Sequence, residues 1–275
     1  MRRCRPLLGT YVEIDCKSAD AVAAGFAAIE RIHTMMSAHA QSSEISNVNR
    51  FAHLAPVAVS DDTAKVLRRA LDWSRASNGV FDIARAGGRA LTNGDLPRHD
   101  GQPFPDPGAD WTVIQLDAGA VSLATKACLD LGGIAKGYAV DAAVDAMRAQ
   151  GADAGLVNAG GDMRGFGPRT WRVAVAEPWT RRGLVELDLA DHALATSAGL
   201  RGSDGLSFAH LDVCGDEWRS VTVCAPCACD ADALTKIVWA LGHRSSGLLA
   251  AAGSHAFAIG VQGSIEPIGS EALAA

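Results

Sequence analysis

The sequence predicts an α+β fold of mixed or antiparallel sheets with packed helices, and three observations carry that prediction. Stretches with strand alternation outnumber helical ones, and they often follow one another directly as meanders. Helical patterns do not alternate with them in the regular way that a doubly wound sheet requires. With 275 residues, 48% hydrophobic and 20% charged, the chain can bury a sizeable core and does not have a disordered composition. A single domain over residues 1–275 is expected, as one body or two interlocked lobes, with an irregular connection near 92–110.

Taken in order, TYVEID (Thr10 to Asp15) alternates as a strand. Val22, Phe26, Ile29, His33 and Met36 then recur at helical spacings. The polar HAQSSEISNVN that follows is rich in turn formers. Ser60-Asp61-Asp62 supplies an N-cap and an acidic first turn to a helix that turns Val66, Leu67, Ala70 and Leu71 inward and stops at Gly79. TNGDLPRHDGQPFPDPGAD, with its prolines and glycines, is irregular. Strands are expected at WTVIQLD and VSLAT, then at AGLVNA, WRVAVAE, GLVELDLA, ALATSA, RSVTVCA and HAFAIGV. The last clear helix begins near Asp230.

A net charge of −6 gives no global attraction for nucleic acid or an anionic membrane, so any phosphate handling must be local. No apolar run approaches the roughly 18 residues of a membrane span, and Glu13 and Asp15 interrupt the N-terminus too early for a signal peptide. Seven cysteines, an odd number without an export signal, are expected as reduced thiols in the cytoplasm. Cys224, Cys227 and Cys229 (CAPCAC) fill small apolar places more readily than a metal site, which normally needs a fourth ligand.

Two glycine-rich stretches carry chemistry. In LDLGGIAKGYAVD, Leu129 and Leu131 read as a strand end, Gly132-Gly133 as a turn, and a helix follows from Ile134. Val140, Val144 and Met147 form its apolar face; Asp141, Asp145 and Arg148 form its polar one. A helix start presents unpaired amides that suit a phosphate, and Lys136 adds a full charge there. Read alone, the stretch suits a plain structural turn equally well. In LVNAGGDMRGFG, Asn158, Gly160, Gly161 and Asp162 sit at a second strand tip, so that two such tips could cradle opposite sides of one ligand. Neither stretch has the order of a Rossmann fingerprint or a P-loop.

With these residues in view, the chain resembles the FAD:protein FMN transferase (ApbE) family along nearly its whole length. The stretches that carry the resemblance are LLGTYVEI, SSEISNVN, GVFDIA, LDLGGIAKGYAVD, LVNAGGDMR, LATSAG, SVTV and ADAL…ALG, in that order. The resemblance implies a T-fold-like α+β structure. It also implies transfer of the FMN half of FAD to a threonine or serine hydroxyl of an acceptor protein, with release of AMP and with Mg2+ as cofactor. Flavin contacts would then fall on Leu8, His39, Val80, Phe81, Asp82, Asp130, Lys136 and Leu211, and the metal on Gly133, Asp232 and Thr235.

Three departures from the family pattern matter. His39 stands where a tyrosine is usual. Thr235 follows Asp232 at three residues rather than four, and the fourth position is Lys236, which could itself supply a positive charge and weaken metal dependence. The family carries a His, two apolar residues and then Asp-Pro, whereas in SFAHLDVCG Asp212 follows His210 at two residues with no proline; the two would share a strand face, with His210 as general base on the acceptor hydroxyl. Two alternatives keep the same site: a hydrolase that cuts FAD to FMN and AMP, and a non-catalytic FAD-binding protein.

Overall fold

The computed structural model describes residues 1–176, 183–202, 205–207 and 218–269. In chain order the elements are β1 (Arg2–Leu7), β2 (Thr10–Cys16), α1 (Ala19–Met36), α2 (Glu44–Phe51), β3 (Val57–Ala58), α3 (Asp61–Ala76) and α4 (Ile83–Asn93). Next come β4 (Ile114–Asp117), β5 (Ala120–Leu123), α5 (Ala135–Ala149), β6 (Gly155–Ala159), β7 (Asp162–Phe166), β8 (Trp171–Ala176) and β9 (Gly183–Leu189). The chain closes with β10 (Ala193–Ala198), β11 (Leu200–Gly202), β12 (Gly205–Ser207), β13 (Trp218–Ala225), α6 (Ala228–Leu241), α7 (Ser246–Ala251), β14 (His255–Gly260) and β15 (Ile265–Ile268). The α+β class expected from the sequence is the class observed. The described residues divide into two compact units: one holds Met1–Glu30 and everything described from Lys136 onward, the other Arg31–Ala135.

The first unit is built on an eight-stranded sheet in the order β1-β2-β6-β7-β10-β13-β14-β15. Every pairing in it is antiparallel. Side-chain alternation sorts its residues onto two faces. Val12 and Ile14 of β2 stand opposite Ala159 and Val157 of β6, all fully buried. Further along the same face, Ala193, Ala195, Val221 and Val223 are buried, and α6 packs against β10 and β13. The opposite face turns out Met163, Leu194, Phe257 and Ile259. These form one apolar cluster with Trp171, Val173, Val175 and Leu189 of the β8–β9 hairpin.

Strand β1 was not evident from its sequence, RRCRPL, because it is an exposed basic edge with no apolar alternation. Arg2 pairs with Glu13 across the β1–β2 ladder. The two strands are joined by Leu8 and Gly9, at φ of 56° and 70°, a two-residue turn of the type whose twist suits a hairpin. Leucine rarely takes that left-handed conformation, so the tip is held by its surroundings.

Helices α5 and α6 approach closely at Gly137. A Cβ there would run into the Ala228 carbonyl and lie 2.9 Å from the Asp232 Cβ. Cys227, the N-cap residue of α6, makes no side-chain capping bond. Asp141 of α5 does that work: its oxygens accept from the amides of Ala228 at 2.9 Å and Cys229 at 2.8 Å, and Arg164 donates to it at 2.7 Å. The sequence placed Asp141 on a polar helix face. It is in fact buried, because two amides and a guanidinium satisfy its charge.

The second unit carries a three-stranded sheet, β3-β5-β4, with α2, α3 and α4. Helix α3 begins at Ser60 as expected, its hydroxyl accepting from the Thr63 amide at 3.3 Å. The polar stretch read as turns instead contains α2. Ser43 caps it by accepting from the Ser46 amide at 3.0 Å, and buried Ile45 and Val48 anchor it. Glu44 ties the starts of the two helices together, accepting from the Ser60 amide at 3.1 Å and hydroxyl at 2.9 Å.

The strand expected at Leu129 and Leu131 does not form. The Leu129 amide donates to Asn49 Oδ1 at 2.7 Å, the Asn49 amide returns to the Leu129 carbonyl at 3.0 Å, and the Asp130 amide donates to the Ile83 carbonyl at 3.0 Å. A side chain and the first residue of α4 therefore take the bonds a ladder would have made. Among the described residues, no helix is long and apolar enough to cross a membrane.

Replacing Gly137 by alanine forces α5 and α6 apart. The expected cost is about 1–3 kcal/mol, the range of overpacked cores. Gly247 in α7 meets nothing within 4 Å, so its alanine variant is expected to hold or gain stability. Urea unfolding of both variants checks the contrast.

Candidate functional site

In the first unit, four charged side chains converge where α5 and β7 begin and α6 passes. Lys136 bonds Asp162, and Lys236 bonds Asp232. Asp162 is 1% exposed and Asp232 not at all, whereas the Lys136 side chain keeps 33% of its surface open and that of Lys236 11%. The local sequence sets this up. Asp162 leaves the Gly160-Gly161 turn, whose φ angles of 64° and 104° favour glycine, and enters β7 pointing to the helix-covered face. Asp232 and Lys236 are one helical turn apart on α6. The second oxygen of Asp232 accepts at 3.2 Å from the amide of Gly137, one of the first-turn donors of α5 that lack a helical partner.

Burial pushes the Asp162 carboxyl up and neighbouring Asp232 adds to the shift, which the two lysines only partly offset. Burial acts on Asp232 in the same sense, but there Lys136 and Lys236 outweigh it and hold the carboxyl below its ordinary range. Burial also works against the Lys136 ammonium; Asp162 and Asp232 overcome it and raise the pKa, so the lysine stays charged at neutral pH. Lys136 is the open end of the cluster.

The Asn158–Asp162 tip lies against another tip in the same unit. The Gly160 amide donates to the Tyr11 carbonyl at 3.2 Å, and a Cβ on Gly160 would sit 2.5 Å from the Thr10 hydroxyl. Asn158 Oδ1 accepts from the Gly161 amide at 2.9 Å and holds the turn. The structure thus brings together Leu8, Asn158, Gly160, Gly161, Asp162 and Lys136 of the expected residues. The sequence paired the Gly160-Gly161 tip with Gly132-Gly133; within its own unit the neighbour is the Leu8–Thr10 turn, and Gly132-Gly133 belongs to the second unit.

The second unit gathers its own set. Asp82 Oδ1 caps α4, accepting from Ala84 and Arg85 amides, both at 2.9 Å. Its other oxygen is buried with no hydrogen-bond partner, 3.9 Å from Arg85 Nε. Beside it, Asp130 Oδ1 accepts from the Gly132 amide at 2.9 Å, and its own amide bonds Ile83. Phe81 is buried and Val80 half-buried, while His39 lies exposed in the turn after α1. His210 and Leu211 lie outside the described residues.

The fold is shared with solved structures. The ApbE protein of Thermotoga maritima matches with a TM-score of 0.85 at 22% identity, covering 98% of this chain and 96% of that one. The flavin transferase ApbE of Vibrio cholerae matches with a TM-score of 0.80 at 22% identity, over 97% and 96%. The ApbE family model matches residues 8–259.

The chain belongs to the ApbE family. Curated relatives named FAD:protein FMN transferase include one from Treponema pallidum, 28% identical over 290 residues, covering 89% of this chain and 79% of that protein. Another, from Haemophilus influenzae, is 27% identical over 246 residues, covering 79% and 71%.

The oxygen set expected to hold a metal ion in this ApbE chain fits one poorly. Both oxygens of Asp232 are engaged, one by the Lys236 ammonium and one by the Gly137 amide. The Thr235 hydroxyl donates to the Asp232 carbonyl at 2.7 Å, which leaves Ser197, also at 2.7 Å, to donate to it. Among the described residues, no group of three or more His, Cys, Asp or Glu side chains is arranged to hold a metal. In CAPCAC, Cys227 occupies the N-cap position of α6 without a side-chain capping bond, and burial pushes its thiol up to about 12.

The sequence assigned no role to Thr10, Gly137, Asp141 or Ser197. Only Gly137, with two helices meeting over it, had a signal of its own, inside the AKGYA stretch. Replacing Lys136 by methionine leaves Asp162 buried without its cation, and the expected loss is about 3 kcal/mol. The double variant with Asp162→Asn is expected to recover part of it in chemical denaturation.

Proposed function

We propose that this protein is an FAD:protein FMN transferase. A threonine or serine hydroxyl of an acceptor protein attacks the FMN phosphorus of FAD. A new phosphoester bond forms to the acceptor oxygen, the anhydride P–O bond to AMP breaks, and AMP leaves with the electron pair. The hydroxyl proton passes to a general base, for which His210 is the residue nominated by the sequence. The observation that supports this reading most is the packing of the Leu8–Thr10 turn against the Asn158–Asp162 tip, whose Asp162 holds the Lys136 ammonium, in a chain whose relatives bear that name.

Each part suits an anhydride. The first-turn amides of α5 and the charge on Lys136 favour phosphate oxygens. Gly161 at the tip lets a ligand approach the backbone, since nothing lies within 4 Å of where its side chain would stand. Asp82 and Asp130, near one another in the second unit, are the carboxylates that the resemblance assigns to flavin binding. The magnesium dependence that the resemblance implies is not part of the reading, because Asp232 and Thr235 are committed to other partners. A reducing compartment suits the six free thiols among the described residues, and we assign the protein to the cytoplasm.

The experiment is incubation of the pure protein with FAD and candidate acceptors, followed by intact-mass analysis of each acceptor and assay of AMP. Covalent FMN on an acceptor, in step with AMP, is expected. AMP and FMN released together without an acceptor would replace the transferase by a hydrolase, and tight FAD retention without AMP would replace it by a binding protein.

A further inference from the structure

We propose that Lys236 takes the place of a divalent cation at Asp232, so that phosphate handling at this site runs on two lysines rather than on a bound metal ion. The phosphate part of this proposal rests on the transferase reading; the metal part stands on the cluster alone.

Charge is the first reason. Asp162 and Asp232 bring two carboxylates into a region with almost no solvent exposure, and Lys136 and Lys236 bring two ammoniums that bond them one to one. The cluster is already balanced. A divalent ion placed beside Asp232 would add two uncompensated charges there, or would have to expel Lys236 from a position where only 11% of its side chain meets solvent.

Coordination is the second reason. Magnesium requires near-octahedral oxygen ligands at about 2.1 Å and releases its waters reluctantly. Around Asp232 the nearest positions are taken: one oxygen by an ammonium, the other by a backbone amide, and the Thr235 oxygen by a chain of hydroxyl bonds ending at Ser197. The amide is fixed by the close approach of α5 to α6 at Gly137, so it cannot turn aside without moving a helix.

The third reason is what Lys236 does for Lys136. With Lys236 removed, two buried carboxylates would face one ammonium and the cluster would be net negative, which repels a phosphate. With Lys236 present, Asp232 is neutralised from within the protein, and the charge on the more open Lys136 can act on an incoming anion. Lys236 is therefore a positioning residue that acts through the cluster.

The test uses the whole protein and Mn2+ as the metal probe, with the free-ion electron paramagnetic resonance signal reporting uptake. Wild type is expected to take up no stoichiometric Mn2+ up to millimolar metal, and AMP release from FAD, assayed throughout with an acceptor protein present, is expected to continue unchanged in a chelator. Lys236→Thr, which removes the ammonium and leaves an oxygen donor, is expected to gain one Mn2+ per chain, and Lys236→Met to gain none while losing AMP release. One equivalent of Mn2+ on wild type that Asp232→Asn abolishes would overturn the proposal, as would AMP release that stops in chelator and returns with Mg2+. If no condition yields AMP, the transferase reading fails, and the Mn2+ titration still decides the metal question.

Discussion

A carboxylate carried out of water must find cations or amides, or it will not stay ionised. Asp232 has no exposed surface at all, and its neighbours are arranged around that fact. One oxygen meets Lys236 on its own helix; the other meets the Gly137 amide on α5. Asp162, almost as deeply buried, holds Lys136 at the start of the same helix. The positions of α5, α6 and the Asn158–Asp162 tip are thus tied to one another through four charges.

The backbone is shaped to permit this. Gly137 lets two helices touch, Gly160 lets one hairpin tip lie against the Thr10 side chain, and Asp141 caps the helix that carries Asp232 and Lys236. None of these three residues needs to meet a ligand. Each fixes where a charged group stands, and a charge held still in a poorly solvated place acts on an incoming anhydride more strongly than one that must be reoriented. The sheet supplies the rest: alternation puts Asp162 on the same face as Val157 and Ala193, under α5 and α6, while the β8–β9 hairpin seals the other face.

Much of the fold could be read from the chain because sheet alternation and helix caps are local signals. TYVEID, AGLVNA and WRVAVAE alternate and are strands; Ser60 with two aspartates starts α3. What escaped was decided at longer range. Helix α2 lies in a polar stretch and owes its place to the burial of Ile45 and Val48. Leu129 and Leu131 look like a strand, yet Leu129 bonds Asn49, the Asp130 amide bonds the Ile83 carbonyl at the start of α4, and the Leu131 carbonyl accepts from the Ile134 and Ala135 amides. The site behaves likewise. Lys136 and Asp162 each stand out in glycine-rich motifs, but nothing local says that they bond each other across 26 residues. The i,i+4 relation of Asp232 and Lys236 was visible in the sequence; that it is buried, and so commits Asp232, was not.

In the proposed transfer, Lys136 is the charge that meets the phosphates without help from a metal. Calorimetric titration of FAD into the protein in chelator, compared between wild type and Lys136→Met, tests that most directly. Binding to wild type, weakened about tenfold or more in the variant, equivalent to about 1.4 kcal/mol, is the result predicted. Equal affinity in the two proteins, or wild-type binding that appears only when Mg2+ is restored, would contradict it.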